Sequence, residues 1–197
     1  MAQSDEKLIK ELIKGNESAM EILVKRYYDL VYSFIYRNTS DYNTAYDITQ
    51  DVFIKMMKNI DKYQIENGKF KSWVLKIAVN TTKDYFRSKI YKQRIQSYDI
   101  DSHEIEDKAN VVDILSKKEE TIKIKEAIKN LPKLQREAII LKYYNDLKIK
   151  EISNITGENE NTIKSRLFNG VKNLKKLLGG DNYEERNIIK NKQHKIR

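Results

Sequence analysis

Asp47 and Asp51, two carboxylates one helical turn apart, are the first residues of this sequence that can carry chemistry. Residues at i and i+4 lie on one face of a helix, where two carboxylates can bind a metal ion or share a proton. No histidine or third acid stands beside them in sequence, and His103 and His194 lack the spacing of a metal or catalytic site. We therefore predict no catalytic residue, no metal and no cofactor. An enzyme that acts on nucleic acid through this pair is kept as an alternative.

The same pair belongs to a longer helical face that suits docking better than catalysis. Asp41 opens the helix, and apolar residues recur at helical spacing along its inner side. The opposite face carries Asp47, Gln50, Asp51, Ile54 and Lys58. A solvated surface accounts for the charges, whereas an apolar side chain exposed among them favours a docking site for a basic partner.

The stretch Gly68–Arg87 concentrates aromatic, basic and amide side chains on one candidate helix. Asn and Arg can hydrogen-bond base edges, Lys can hold phosphates, and Phe70 or Trp73 can stack on an unstacked base. A buried tryptophan in a small helical core is the alternative for Trp73. The candidate DNA contacts are Lys69, Phe70, Lys71, Trp73, Lys76, Asn80, Lys83 and Arg87. The residues predicted to pack inward are Val74, Ile77, Ala78, Thr81 and Tyr85.

A second DNA-binding pattern follows Leu147. Isoleucines at helical spacing mark a short helix, Gly157 lies in the turn, and Asn159 can cap the next helix. This is helix-turn-helix spacing, and the second helix has no acid from Ile163 to Leu178. Its basic residues are Lys164, Arg166, Lys172, Lys175 and Lys176. The pattern predicts duplex DNA binding but does not separate a repressor from other readers of DNA.

Composition predicts an all-α protein of two small helical domains joined by an acidic linker, the second being the helix-turn-helix domain. The 197 residues include one proline and six glycines, and 40% are hydrophobic, which suits helices that bury real cores. Basic residues before Ile95 give way to the acidic segment Asp99–Asp107. Ser116 and Glu119 then form a capping box ahead of the second domain.

The net charge of +9 suits a polyanionic partner, because phosphates release counterions when Lys or Arg neutralises them. Nucleic acid is the first candidate, and an anionic membrane surface is the second. The sequence has no cysteine, no apolar run of membrane-spanning length, and no signal-peptide order at its start. We expect a soluble, cytoplasmic protein without direct membrane insertion.

Several short motifs occur in a specific order along residues 5–178. They are Tyr32–Arg37, Asp47-x-x-Gln50-Asp51-x-Phe53, Gly68–Trp73, Asn80-x-x-x-Asp84-x-x-Arg87, Leu131-Pro132-x-x-x-Arg136-Glu137 and Thr162–Leu167. This order resembles the bacterial extracytoplasmic-function sigma factors of the sigma-70 family. The sequence departs from the family pattern at Lys148, Glu158, Asn169 and Val171, which bears on individual DNA contacts rather than on the fold.

The resemblance implies a non-catalytic subunit that brings core RNA polymerase to chosen promoters and starts DNA melting. It assigns the chain to four parts: sigma region 2 at 1–95, a linker at 96–115, sigma region 4 at 116–180 and a flexible basic tail at 181–197. The linker acids would stand in for nucleic acid in the RNA exit channel. A regulatory anti-sigma factor is a further implied partner.

The same resemblance assigns a partner to each candidate surface. The Asp47–Lys58 face would bind core polymerase, and the contacts in Gly68–Arg87 would bind the minus-10 element and capture a flipped base. The minus-35 contacts would be Asn161, Thr162, Lys164, Ser165, Arg166, Phe168 and Asn169. The alternative of the same broad class is a stand-alone helix-turn-helix repressor that dimerises through its amino-terminal helices.

Overall fold

The computed structural model describes residues 3–64, 69–88 and 113–179, with the backbone alone for 113–120. All regular structure in these ranges is helical, which confirms the all-α prediction. The predicted linker acids, the basic tail and part of the loop before Phe70 lie outside the described residues. Within the described ranges, no helix combines the length and apolar composition needed to span a bilayer.

The described part of the N-terminal half has four helices, and the first three begin at side-chain caps. Ser4, Asn16 and Asp41 each accept a hydrogen bond from a backbone N–H of the following first turn. The helices are α1 (Asp5–Ile13), α2 (Glu17–Thr39), α3 (Tyr42–Lys58) and α4 (Phe70–Arg87), with a short 3-10 turn at Ile60–Lys62. Each cap satisfies a donor that the helix itself leaves unpaired, so local sequence fixes where the helices begin.

The N-terminal core forms where α1, α3 and α4 pack against α2. The predicted inner side of α3 is buried, as are the α4 residues Val74, Ala78 and Thr81, whereas Ile77 and Tyr85 are half-buried. Burying an aliphatic side chain of this kind stabilises the fold by ~1.5–3 kcal/mol. The outer faces of α3 and α4 are thereby held toward solvent.

Residues 113–179 of the C-terminal half also contain four α-helices. They are α5 (Asp113–Lys129), α6 (Lys133–Ile139), α7 (Ile149–Thr156) and α8 (Glu160–Leu177). Helix α5 begins before Ser116, so the capping box predicted at that residue does not start the helix. Helix α6 continues into a π-helical turn at Ile140–Tyr144, whose Ile140 and Leu141 are buried.

Helices α7 and α8 form the predicted helix-turn-helix. Gly157 ends α7 with a φ of 76°, a left-handed conformation that glycine adopts without strain. Ser153 Oγ donates to the Glu158 carbonyl at 2.6 Å, which ties the turn to α7. Asn159 Oδ1 accepts the Thr162 N–H at 2.8 Å, and this confirms Asn159 as the cap of α8.

A glycine lets α8 approach α6 closely. Gly170 is buried on the inner side of α8, where a Cβ atom would lie 3.0 Å from Cγ1 and 3.3 Å from Cδ1 of Ile139. Ile139 is itself buried, so it has little room to move away. The separation of the two helices at this point is therefore set by the missing side chain.

The two halves pack against each other. Residues of α2 contact α5, α6 and the π-helical turn, and α4 contacts α7. Buried side chains from both halves belong to one hydrophobic cluster. The two helical domains predicted from the sequence are thus packed against each other within the described residues.

Asn159→Ala is expected to lower the free energy of unfolding of the C-terminal half by about 1 kcal/mol, because it leaves the Thr162 N–H without its capping acceptor. Urea unfolding followed by circular dichroism measures the change. Asn161→Ala is the matched control, since Asn161 is exposed in the first turn of the same helix. Equal losses in the two variants would contradict the capping role.

Candidate polymerase and nucleic-acid interface

The predicted docking face of α3 is exposed over its whole length. Asp47, Gln50, Asp51, Ile54 and Lys58 are all exposed, because the opposite side of the helix is buried on α2 and α4. Ile54 is 42% exposed among these charged and polar groups. Acidic groups around an exposed apolar residue can bind a partner that combines basic and apolar side chains.

The described residues of this face do not provide the set of ligands that a metal-dependent reaction needs. Among the described residues, no group of three or more His, Cys, Asp or Glu side chains is placed to hold a metal ion. Two carboxylates on exposed helix turns give at most a weak, hydrated site. The docking interpretation is therefore the one that the geometry favours.

The aromatic residues at the start of α4 divide into a core ring and an accessible ring. Phe70 is 2% exposed and packs edge-on against Tyr27 and Tyr63, with ring centroids 5.2 Å away in each case. Trp73 is half-buried and stacks on Phe70 at 5.5 Å. The two rings were predicted as equal candidates for contact with a base; Phe70 lies in the core, and Trp73 keeps accessible surface.

The basic and amide residues of α4 fall into two groups. Lys69, Lys76, Asn80 and Arg87 are exposed, as a DNA-contacting surface requires. Lys71 and Lys83 are half-buried and bind the C-terminal half. The sequence analysis predicted that all six side chains contact DNA. In the structure, two of the six are hydrogen-bonded to the C-terminal half of the chain.

A buried carboxylate faces Lys83 across the contact between the halves. Glu137 Oε1 lies 3.6 Å from Lys83 Nζ, an ion pair too long for a hydrogen bond, and this oxygen has no hydrogen-bond partner within the described ranges. Burial raises the pKa of Glu137, and the nearby positive charges of Lys83 and Arg166 offset part of that effect. Burial likewise lowers the pKa of Lys133, whose ammonium lies 3.6 Å from the centre of the Phe86 ring.

The recognition helix α8 presents most of its predicted contacts to solvent. Asn161, Lys164, Ser165 and Asn169 are exposed, Thr162 is half-buried, and Phe168 is 71% exposed. A phenylalanine this open on a basic helix can contact the methyl group of a thymine or pack on a deoxyribose. The exposed face of α8 thus combines positive charge, amides and one apolar ring.

Arg166 is the exception on this face. Its side chain is only 15% exposed, and its guanidinium donates to the Glu158 carboxylate at 2.7 Å. Glu158 is one of the positions where the sequence departs from the family pattern. This departure supplies an acid that holds Arg166 back from the surface.

A row of tyrosine rings on α2 was missed by sequence reasoning. Tyr32 stacks on both Tyr28 and Tyr36 with centroids 6.0 Å apart, and Phe53 of α3 extends the row beyond Tyr28 at 6.2 Å. The spacing of four residues between successive tyrosines is a signal that could have revealed the row. Burial raises the pKa of Tyr28, and the exposed Tyr46 of α3 adds to that effect.

Comparison with known proteins connects both halves to one family. Residues 23–90 match the family model for sigma-70 region 2, and residues 121–174 match that for sigma-70 region 4. The chain is 32% identical to the extracytoplasmic-function (ECF) RNA polymerase sigma factor SigW of Bacillus subtilis, over 87% of this chain and 95% of that protein. It is 29% identical to the ECF RNA polymerase sigma-E factor of Escherichia coli K12, over 84% of this chain and 89% of that protein.

Solved structures show the same fold. The sigma factor RpoE of Bartonella quintana, in complex with the anti-sigma factor NepR, superposes with a TM-score of 0.65 at 24% identity. The alignment covers 82% of this chain and 97% of RpoE. CnrH, in complex with the cytosolic domain of CnrY, gives the same TM-score at 18% identity over 89% of this chain and 97% of CnrH.

Lys164→Ala is expected to weaken binding to duplex DNA and to reduce the slope of log K against log salt by about 0.9, the effect of one lost phosphate contact. Arg166→Ala is expected to leave the slope nearly unchanged, since Arg166 already pairs with Glu158. Fluorescence anisotropy over a series of salt concentrations measures both slopes. A larger slope change for Arg166→Ala than for Lys164→Ala would contradict this arrangement.

Proposed function

This chain belongs to the extracytoplasmic-function sigma factors of the sigma-70 family, and from that premise we propose how its surfaces bring core RNA polymerase to a promoter and open the DNA. The observation that carries the proposal is the exposed acidic face of α3 on the same half of the chain as the cationic face of α4. Polymerase performs the chemistry, and the chain acts as a non-catalytic, cytoplasmic initiation factor.

Core polymerase binds the face formed by Asp47, Gln50, Asp51, Ile54 and Lys58. The exposed isoleucine supplies apolar contact at the centre of this face, and the acids around it attract a basic partner. A rigid helix with a buried opposite side presents these groups without an ordering cost. The row of tyrosines on α2 gives the face an aromatic border.

The minus-10 element binds along α4. Lys69, Lys76 and Arg87 hold phosphates, Asn80 hydrogen-bonds a base, and Trp73 stacks on a base that has left the duplex. Extrusion of a base costs a few kcal/mol, and stacking on an aromatic ring returns ~1–3 kcal/mol of it. Phe70 packs against the core side of Trp73 and so holds the indole ring in position.

The minus-35 element binds the exposed face of α8. Lys164 contacts phosphate, and Asn161, Ser165 and Asn169 point toward the groove. Arg166 positions the helix through its ion pair with Glu158. An anti-sigma factor controls the chain; this part of the proposal is supported by the solved structure of RpoE, a sigma factor of the same fold in complex with the anti-sigma factor NepR.

Asp51→Lys is expected to weaken binding to core RNA polymerase by about tenfold or more, because a positive charge then meets a basic partner. Glu21→Lys is the matched control, since Glu21 is an exposed acid of α2 outside the docking face. Co-purification with tagged core enzyme, followed by titration, measures both. Unchanged binding of Asp51→Lys would overturn the docking assignment.

Trp73→Ala is expected to reduce strand opening while leaving closed-complex formation almost unchanged. The reason is that the proposed contact of Trp73 with DNA forms only after a base has left the duplex. Permanganate reactivity at a promoter mapped by in vitro transcription measures opening, and Trp73→Phe, which keeps an aromatic ring, should retain most of it. Trp73 is the only tryptophan in the chain, so quenching of intrinsic fluorescence on opening reports the stacking directly. Wild-type permanganate reactivity in a folded Trp73→Ala variant would contradict this role.

A further inference from the structure

Helix α1 lies ahead of residues 23–90, the part of the chain that matches sigma-70 region 2. Its Leu8 and Ile9 are buried, and the helix contacts both α2 and the 3-10 turn at Ile60–Lys62. The core beneath the minus-10 surface thus includes a helix from outside the matched region.

Asp5, the first residue of α1, binds two side chains of α2. Its carboxylate accepts a hydrogen bond from the Tyr27 hydroxyl and pairs with the Arg26 guanidinium. The same guanidinium donates to the Gln3 carbonyl at 2.8 Å. Burial raises the pKa of Tyr27, and the hydrogen bond to Asp5 raises it further, so the hydroxyl keeps its proton and acts as the donor.

The Tyr27 ring begins a series of aromatic contacts that reaches Trp73. Tyr27 is 8% exposed and meets Phe70 edge-on at 5.2 Å, and Phe70 stacks on Trp73 at 5.5 Å. Tyr63, which follows the 3-10 turn that α1 contacts, lies 5.2 Å from Phe70 and 5.5 Å from Trp73. The rings beside Trp73 therefore adjoin residues that α1 holds.

The Tyr27 hydroxyl needs a hydrogen-bond acceptor because the side chain that carries it is largely buried. Without Asp5 the hydroxyl would have to turn toward water, and the ring would have to move with it. Edge-on aromatic contacts depend on the mutual orientation of the rings, because ring edges and ring faces carry opposite partial charges. A displaced Tyr27 would thus loosen Phe70, and Phe70 would no longer hold Trp73 in one orientation.

We propose that Asp5 is a positioning residue for promoter opening. By holding the Tyr27 hydroxyl, it fixes Phe70 and Trp73 in the orientation that receives the extruded base. The inference rests on the proposed role of Trp73 at the minus-10 element. Asp5 acts through other side chains and does not touch DNA, so it affects the step at which a base leaves the duplex and not the binding of duplex DNA.

The test compares a single variant with a double variant. Asp5→Ala removes the acceptor and leaves the Tyr27 hydroxyl unpaired, whereas Asp5→Ala/Tyr27→Phe removes acceptor and donor together. An unpaired buried group costs more than the loss of both partners, so the second substitution should rescue the first. If Asp5 only attached α1 to the core, the double variant would be no better, because the contact with Arg26 is lost in both.

The orientation of Trp73 is measured first, without DNA or polymerase. Trp73 is the only tryptophan of the chain, so its emission and its quenching by acrylamide report on this site alone. We expect Asp5→Ala to raise the quenching constant and Asp5→Ala/Tyr27→Phe to restore the wild-type value. The matched control is Glu6→Ala, which removes the adjacent exposed acid of the same first turn and should leave quenching unchanged.

Promoter opening is measured by permanganate reactivity of full-length variants in complex with core polymerase. We expect Asp5→Ala to slow opening about fivefold at an unchanged dissociation constant of the closed complex, and the double variant to recover most of the rate. Asp5→Asn keeps a weaker, uncharged acceptor and should give a smaller defect that Tyr27→Phe also rescues. This second pair decides the question if Asp5→Ala does not fold by circular dichroism.

Wild-type quenching and wild-type opening in the folded Asp5 variants would overturn the proposal, as would a defect that Tyr27→Phe does not rescue. Failure of the proposed function would appear separately, as a Trp73→Ala chain that opens the promoter like wild type. The quenching experiment would still show in that case whether Asp5 positions Trp73.

Discussion

The contact between the two halves depends on how the lysines of α4 are paired. Lys71 and Lys83 both bind oxygen atoms of the C-terminal half. One side of α4 is fixed in the N-terminal core, and Lys71 and Lys83 lie where the C-terminal half covers the helix. Lys83 is largely covered by the C-terminal half, where an unpaired ammonium would cost several kcal/mol. Glu137 and the Thr156 carbonyl meet that requirement. The helix that we propose contacts DNA is therefore also a helix that joins the two halves.

Local features of the fold were predictable because their physical causes lie within a few residues of each other. Asn16, Asp41 and Asn159 cap the helices that follow them, and Gly157 takes the left-handed conformation expected at the turn. The exposed face of α3 followed from helical periodicity alone, since its apolar side is continuous. These predictions needed no knowledge of which elements meet in space.

Apart from the row of tyrosines on α2, the features that sequence reasoning missed depend on contacts between different elements of the fold. Phe70 and Trp73 are both aromatic and lie one helical turn apart. Tyr63 packs against both rings, but only Phe70 is buried, beneath Tyr27 as well. The sequence analysis assigned Arg166 to DNA because Glu158, its ion-pair partner, precedes α8 and was identified only as a departure from the family pattern. The Arg136–Glu137 pair was visible as a motif, yet its partners Asn38 and Lys83 belong to the other half of the chain.

The close approach at Gly170 has a consequence for how such a protein can diversify. The inner side of α8 rests against Ile139, where an added carbon would lie only 3.0 Å from Cγ1, so the buried Gly170 limits how far this helix can shift toward α6. The outer side, including Lys164 and Phe168, is free of that constraint. Residues on the exposed face of α8 can therefore be substituted without a change in the position of the helix axis. Changes in recognition and changes in architecture are separated onto opposite sides of a single helix.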